Sequence, residues 1–174
     1  MKSIGSRIKE DFFICDSEIL AEKLIGKYLC VHINGKTSKF MISETEAYGI
    51  NDSACHCYKG RTKRNAPMFC KGGTVYIYLC YGLHEIANIA AGKENEGQGV
   101  MIRGLDNTFG PGKITKLAGI DRSFNYEYLP TSLTIWLEEN LTKSTCKIEK
   151  FKRIGIGYAV QQDQDKLWRF RIKN

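Results

Sequence analysis

Residues 28–48 read YLCVHINGKTSKFMISETEAY, and this stretch decides the fold. Tyr28 to Ile33 is a strand-like run, Asn34-Gly35 is the strongest short hairpin signal, and a second run extends from about Lys39 to Tyr48. An antiparallel hairpin is predicted. Side chains alternate along a strand, so Phe40, Ile42, Glu44, Glu46 and Tyr48 are expected on one face, with Met41, Ser43, Thr45 and Ala47 on the other. Glu44 and Glu46 would then stand side by side, their backbones roughly 6.5 Å apart. Upstream, Asp16 before SEILAEKLIG predicts an N-capped helix with an apolar face of Ile19, Leu20, Leu24 and Ile25 and a stop at Gly26.

Downstream, residues 51–72 form a polar, basic connection. TVYIYLCY, Gly82-Leu83 and HEIANIA then predict a second hairpin, with Gly82 at the first central position of a type II′ turn and Tyr81 beside the tip. Further strands are expected at Gly99–Leu105 and around Thr134–Glu138, Thr145–Arg153 and Leu167–Ile172, with a helix at Gly110–Ala118. Many strands, few helices and no repeat of 20–50 residues indicate a single α+β domain over residues 1–174. Its core would be a curved, mostly antiparallel, open-barrel-like sheet with flanking short helices and a protruding β-hairpin.

The chain has 174 residues, of which 43% are apolar and 26% charged, which excludes disordered, collagen-like and solenoid classes. Lys and Arg total 26 against 19 Asp and Glu, and the resulting +7 invites a polyanionic partner without naming a reaction. No apolar run reaches the roughly 18 residues of a membrane span, and MKSIGSRIKEDFF lacks the apolar core of a secretory leader. A cytoplasmic, nucleoid-associated monomer is expected. Seven cysteines, an odd number without an export signal, are read as reduced thiols.

Five groups of residues could carry chemistry. Glu44 and Glu46 are either solvated on an exposed strand or face a pocket, where a carboxylate could activate water for glycosidic cleavage. Cys55-His56-Cys57 raises the question of zinc, but its one-residue spacing matches the usual ligand patterns poorly. Lys59 to Lys71 holds five cations and no acid, either a solvated loop or a grip on phosphates. A weaker basic excess lies in residues 147–174. Tyr76, Tyr78 and Tyr81 are either core aromatics or, in the case of Tyr81, a wedge for stacked bases. Gly110-Pro-Gly-Lys113 is a helix start that could also meet a DNA phosphate.

In order along the chain, ETEAY, His56-x3-Gly60-x-Thr62-x-Arg64-Asn65-x2-Met68-Phe69, GTVYIYLCYGLH with Asn88, Arg103, GPGK, RIGIGYA and WRFRI resemble the alkyladenine (3-methyladenine) DNA glycosylases, the methylpurine glycosylase family. The resemblance runs from about residue 11 to residue 172. It implies a DNA repair hydrolase that flips alkylated or deaminated purines, of the 3-methyladenine, hypoxanthine and ethenoadenine class, out of double-stranded DNA. The N-glycosidic bond is then cut, leaving an abasic site, the first step of base excision repair. It further implies Glu46 as the general base, Tyr48, His56, Tyr78 and Asn88 as the base pocket, and Tyr81 as the intercalating residue. Arg64, Arg103 and Lys113 are expected at the DNA backbone. No metal, no cofactor and no lyase step are expected.

Overall fold

Asn34 and Gly35 both take positive φ, 51° and 74°, and the strands on either side pair residue for residue from Tyr28↔Met41 to Ile33↔Lys36. The hairpin therefore begins its second strand three residues earlier than the sequence indicates. The computed structural model describes residues 6–141 and 147–173. Its regular elements are α1 (Ser17–Leu24), β1 (Tyr28–Ile33), β2 (Lys36–Tyr48), β3 (Val75–Cys80), β4 (His84–Ala91), β5 (Gln98–Leu105), β6 (Thr108–Phe109), α2 (Pro111–Ala118), β7 (Ile135–Glu138), β8 (Ile148–Phe151), α3 (Gln161–Gln164) and β9 (Arg169–Ile172). Short 3₁₀ turns occupy Glu10–Phe13, Ala66–Phe69 and Arg122–Phe124. Thr145, the expected start of a strand, and Cys146 lie outside the described residues. No helix among the described residues is long and apolar enough to cross a membrane.

The strands form one curled antiparallel sheet in the order β3-β4-β5-β2-β1-β7, an α+β architecture. β2 is its axis. Lys36–Met41 pairs with β1, and Glu44–Glu46 pairs with β9, which in turn pairs with β8; β5 lies along residues 42–48.

A register shift between Ile42 and Thr45 corrects the simple alternation. Ile42 and Ala47 belong to the main core and the Thr45 hydroxyl donates to the Ala21 carbonyl of α1, while Tyr48 belongs to the opposite face. A bulge adds a residue on one strand and reverses the facing of what precedes it. Ile42 is thereby turned away from the side that Glu44, Glu46 and Tyr48 share. Gly104 sits opposite this irregularity, and a Cβ there would lie 2.8 Å from Glu44 Cβ.

Helices α1 and α2 press on the core-side face of the sheet. From α1 the buried residues are Ser17, Leu20, Ala21 and Leu24, whereas Ile19, expected inside, is exposed. Ile114 and Ala118 of α2 join them against Val75, Ile77, Ala87, Ile89, Val100 and Ile102. Truncating one such residue, as in Leu24→Ala, should cost about 2–5 kcal/mol. The residues alternating with these positions, Tyr76, Ile86 and Met101, emerge on the other face with Tyr48, Cys55, Cys57 and Met68.

The β3–β4 turn also differs from expectation. Cys80 pairs with His84, leaving Tyr81, Gly82 and Leu83 as the loop. Tyr81 (φ 51°) and Gly82 (φ 68°) are both at positive φ, and the Leu83 amide donates to the Cys80 carbonyl. That is the positive-φ pair of a type I′ turn in place of type II′.

Candidate active site

Sheet register assembles the site. Tyr76 of β3 pairs with Asn88 of β4, Asn88 with Met101 of β5, Met101 with Glu46 of β2, and Glu46 with Arg169 of β9. Residues directly opposite one another share a face, so one lateral row carries an aromatic, an amide, a thioether, a carboxylate and a guanidinium. Two residues along β3 and β5, Tyr78 and Arg103 add a second row on that face. Above both rows opens a cavity of about 350 Å³, lined by Tyr48, His56, Tyr76, Tyr78, Asn88 and Arg103, with Arg64 and Tyr81 at its rim and Ile154 to Ile156 and Tyr158 closing it.

The loop after β2 is held by its own polar side chains. Asn65 donates to the His56 and Gly60 carbonyls at 2.8 and 3.0 Å and accepts from the Thr62 amide at 2.6 Å. These bonds present His56 to the cavity. Its Nδ1 lies 3.2 Å from the Tyr76 hydroxyl, and its ring is 4.5 Å from that of Tyr78. Burial and the nearby Arg64 hold His56 below the usual imidazole pKa, so it is neutral at physiological pH. Burial also pushes the Tyr76 phenol up to about 12. Asn88 donates to the Tyr76 and Ile86 carbonyls, which fixes its amide against the cavity wall.

Glu46 is 0% exposed and Glu44 3%. Neither is solvated, and both lie beneath the cavity. Glu46 accepts from the Tyr48 hydroxyl at 2.7 Å and from the Ile154 amide at 2.9 Å. Arg103 Nε stands 3.5 Å from Glu46 and 3.7 Å from Glu44, and Arg169 donates to Glu44 at 2.9 Å. Desolvation raises the Glu46 carboxyl above its ordinary range, opposed by Arg103, Tyr48, the Ile154 amide and Arg153. Burial thus disfavours the charged carboxylate while its donors favour it. Arg103 Nε has no hydrogen-bond partner among the described residues.

Sequence reasoning missed Asp52, Arg153, Ile154 and Tyr158. Fully buried Asp52 receives both terminal nitrogens of Arg153, which also donate to the carbonyls of Ala47 and Asp163. The Arg153 guanidinium lies 4.9 Å from the Tyr48 ring and 5.3 Å from that of Trp168. This places Ile154 on Glu46. Tyr158 donates to the Ala54 carbonyl and closes the wall. The stretch RIGIGYA was visible, but nothing in a spacing of about one hundred residues points back to Glu46.

The remaining expectations separate. Arg64 is exposed, its guanidinium 5.3 Å from the Tyr78 ring. Lys113 is exposed on α2 away from the cavity, to which its neighbour Pro111 contributes. Tyr81 is 92% exposed at the hairpin tip. Lys59, Arg61, Lys63 and Arg64 form no ion pair with a described acid, whereas Lys150, Lys152, Arg153, Lys166, Arg169 and Lys173 all do. The C-terminal basic excess is thus largely internal, whereas the 59–64 loop concentrates four cations without an acidic partner among the described residues. The Cys57 amide donates to Cys55 Sγ, and among the described residues no group of three or more His, Cys, Asp or Glu is placed to hold a metal.

Comparison with known proteins places the chain in a family. The pattern of the family described as Methylpurine-DNA glycosylase (MPG) matches residues 11–109 and 105–174. A protein of Borrelia garinii subsp. bavariensis is 40% identical over 94% of each chain, one of Natranaerobius thermophilus 37% over 97% of this chain and 96% of its own, and one of Clostridium perfringens 35% over the same shares. Each carries the name "Putative 3-methyladenine DNA glycosylase". With the family pattern covering nearly the whole chain, and the register of five strands bringing its motifs to one cavity, this chain belongs to the methylpurine-DNA glycosylase family.

Proposed function

We propose that the protein is a monofunctional glycosylase that accepts an alkylated or deaminated purine flipped from duplex DNA into the cavity beside Glu46. Family membership carries the coarser statement: a DNA repair enzyme that hydrolyses an N-glycosyl bond. The observation supporting the finer one is the enclosed carboxylate behind an aromatic cavity. Tyr48 and Tyr78 stack on the base, favouring electron-poor, alkylated rings, and neutral His56 hydrogen-bonds it. Asn88 crowds the 2-amino group of a normal guanine.

Glu46, one layer behind Tyr48, Arg103 and Ile154, orients and deprotonates the water that attacks the sugar carbon as the base departs. Tyr81 fills the gap left in the stack, while Arg64, Arg103 and Lys113 hold phosphates of the damaged strand. Among the described residues no lysine lines the cavity, which supports a reaction without a Schiff base on the opened sugar and an abasic site as the product. The test is a set of duplexes carrying 3-methyladenine, 7-methylguanine, hypoxanthine or ethenoadenine, incubated in single turnover with and without alkali. Strand breaks that need alkali and vanish with Glu46→Gln are expected. Excision by that variant at the wild-type rate, or breaks without alkali, would overturn the reading.

A further inference from the structure

β3 is the edge of the sheet, and its outward hydrogen-bonding groups are only partly covered. The Val75 amide donates to the Glu127 carbonyl, and Val75 accepts from the Tyr126 amide. At Ile77 the Asn125 side chain replaces a strand, accepting from the Ile77 amide at 2.7 Å and donating to its carbonyl at 3.0 Å. This cover stops there. Leu79, the next outward position, opens onto a second cavity of about 340 Å³ whose mouth carries Lys63, Arg64 and Arg122, with Asn125 and Tyr126. Arg122 pairs with Glu85 at 3.0 Å, and no described acid pairs with Lys63 or Arg64. Three cations therefore face one acid. Tyr126, more than half exposed, is held at φ 69°, in the left-handed region that disfavours a bulky residue.

Tyr78, Leu79 and Arg64 line both cavities, so β3 is the partition between them, and Tyr81 stands at its end. We propose that this second cavity binds a backbone phosphate of the undamaged strand opposite the flipped nucleotide. The inference rests on the glycosylase reading above. A wedge entering the minor groove passes between two sugar-phosphate backbones roughly 6 Å apart. The damaged strand feeds the base cavity on one side of the β3–β4 hairpin. The other backbone then faces the other side, where the uncompensated cations and the free strand edge lie. A phosphodiester suits that lining because it accepts from cations and from a backbone amide together.

The experiment compares wild type with Lys63→Gln/Arg122→Gln, both residues remote from the chemistry proposed for the base cavity. Binding to a hypoxanthine duplex and to the single-stranded lesion oligonucleotide is measured across a salt series. Each phosphate contact removed reduces the salt slope by roughly 0.9. A reduction of about that size is expected on the duplex, with unchanged binding to the single strand. One neutral methylphosphonate, placed in the undamaged strand, should weaken wild type and leave the variant unaffected. Equal losses on both substrates, an unchanged slope, or a matching methylphosphonate position in the damaged strand would overturn the proposal. Lys63→Gln alone, at an exposed position, repeats the test should the double variant melt early. Wild-type excision on the same duplex reports on the glycosylase reading separately, since it fails only if that reading fails.

Discussion

Glu46 is a carboxylate whose charged form the fold disfavours and its neighbours defend. Its raised pKa means that excision needing the ionised form falls as pH drops through that raised value, above the ordinary carboxylate range. Tyr48→Phe removes the 2.7 Å hydrogen bond that lowers the Glu46 pKa, so the acidic limb of the pH–rate profile should move further up. The loss should therefore be larger at pH 6 than at pH 8. Glu46→Gln should reduce single-turnover excision by about 10²–10⁴. The same variant should melt later at neutral pH, because it relieves the cost of burying charge. With the folded pKa above the unfolded one, that gain shrinks as pH falls and the native glutamate takes up its proton. Paired melting curves at pH 7.5 and 4.5 check the sign. Glu46 and its two-residue spacing from Glu44 and Tyr48 were legible in the sequence because period-two alternation is local. Arg103 between the two carboxylates was not, since its placement depends on which residue of β5 lies opposite which residue of β2.

At the scale of elements, the β3–β4 hairpin trades stability for reach. A two-residue turn at positive φ prefers Asn-Gly, as at 34–35, and here a tyrosine occupies the first position at φ 51°. Tyr81→Asn should release about 1 kcal/mol of backbone strain and raise Tm by roughly 2–4 °C. Capture of a lesion in a fully paired duplex should nevertheless weaken more than capture of a mismatched one, because the wedge offsets the unstacking that pairing opposes. Equal weakening on both would remove Tyr81 from that role. The hairpin itself was legible from its two β-rich runs around glycine, but the turn type was not, because Tyr-Gly carries no local preference for positive φ at its first residue. Likewise α1 was legible from its period, yet Asp16 makes no side-chain capping bond, and Ala21 lies inward and Ile19 outward, a rotation set by the sheet beneath it.

Across the whole molecule, the buried Arg153–Asp52 pair joins the chain's two halves. Replacing one partner leaves the other charge unpaired, so Arg153→Met should cost about 3–5 kcal/mol, and Asp52→Asn in the same chain should recover part of it. Urea unfolding of wild type and the two variants measures both effects. The overall +7 was legible, but its distribution was not. Most C-terminal cations meet acids within the fold, so Lys59→Ala or Lys63→Ala should lower the salt slope of DNA binding while Lys152→Ala leaves it alone.

β9 ends at Ile172 and pairs with the central strand at Glu44 to Glu46, and the Ile154 amide reaches Glu46 from the same late segment. The β1–β2 and β3–β4 hairpins close over short loops, whereas Glu46 meets its Ile154 donor only across a loop of 108 residues. Closing the longer loop costs more chain entropy. The hairpins should therefore form first in folding, and the surroundings of Glu46 are completed last.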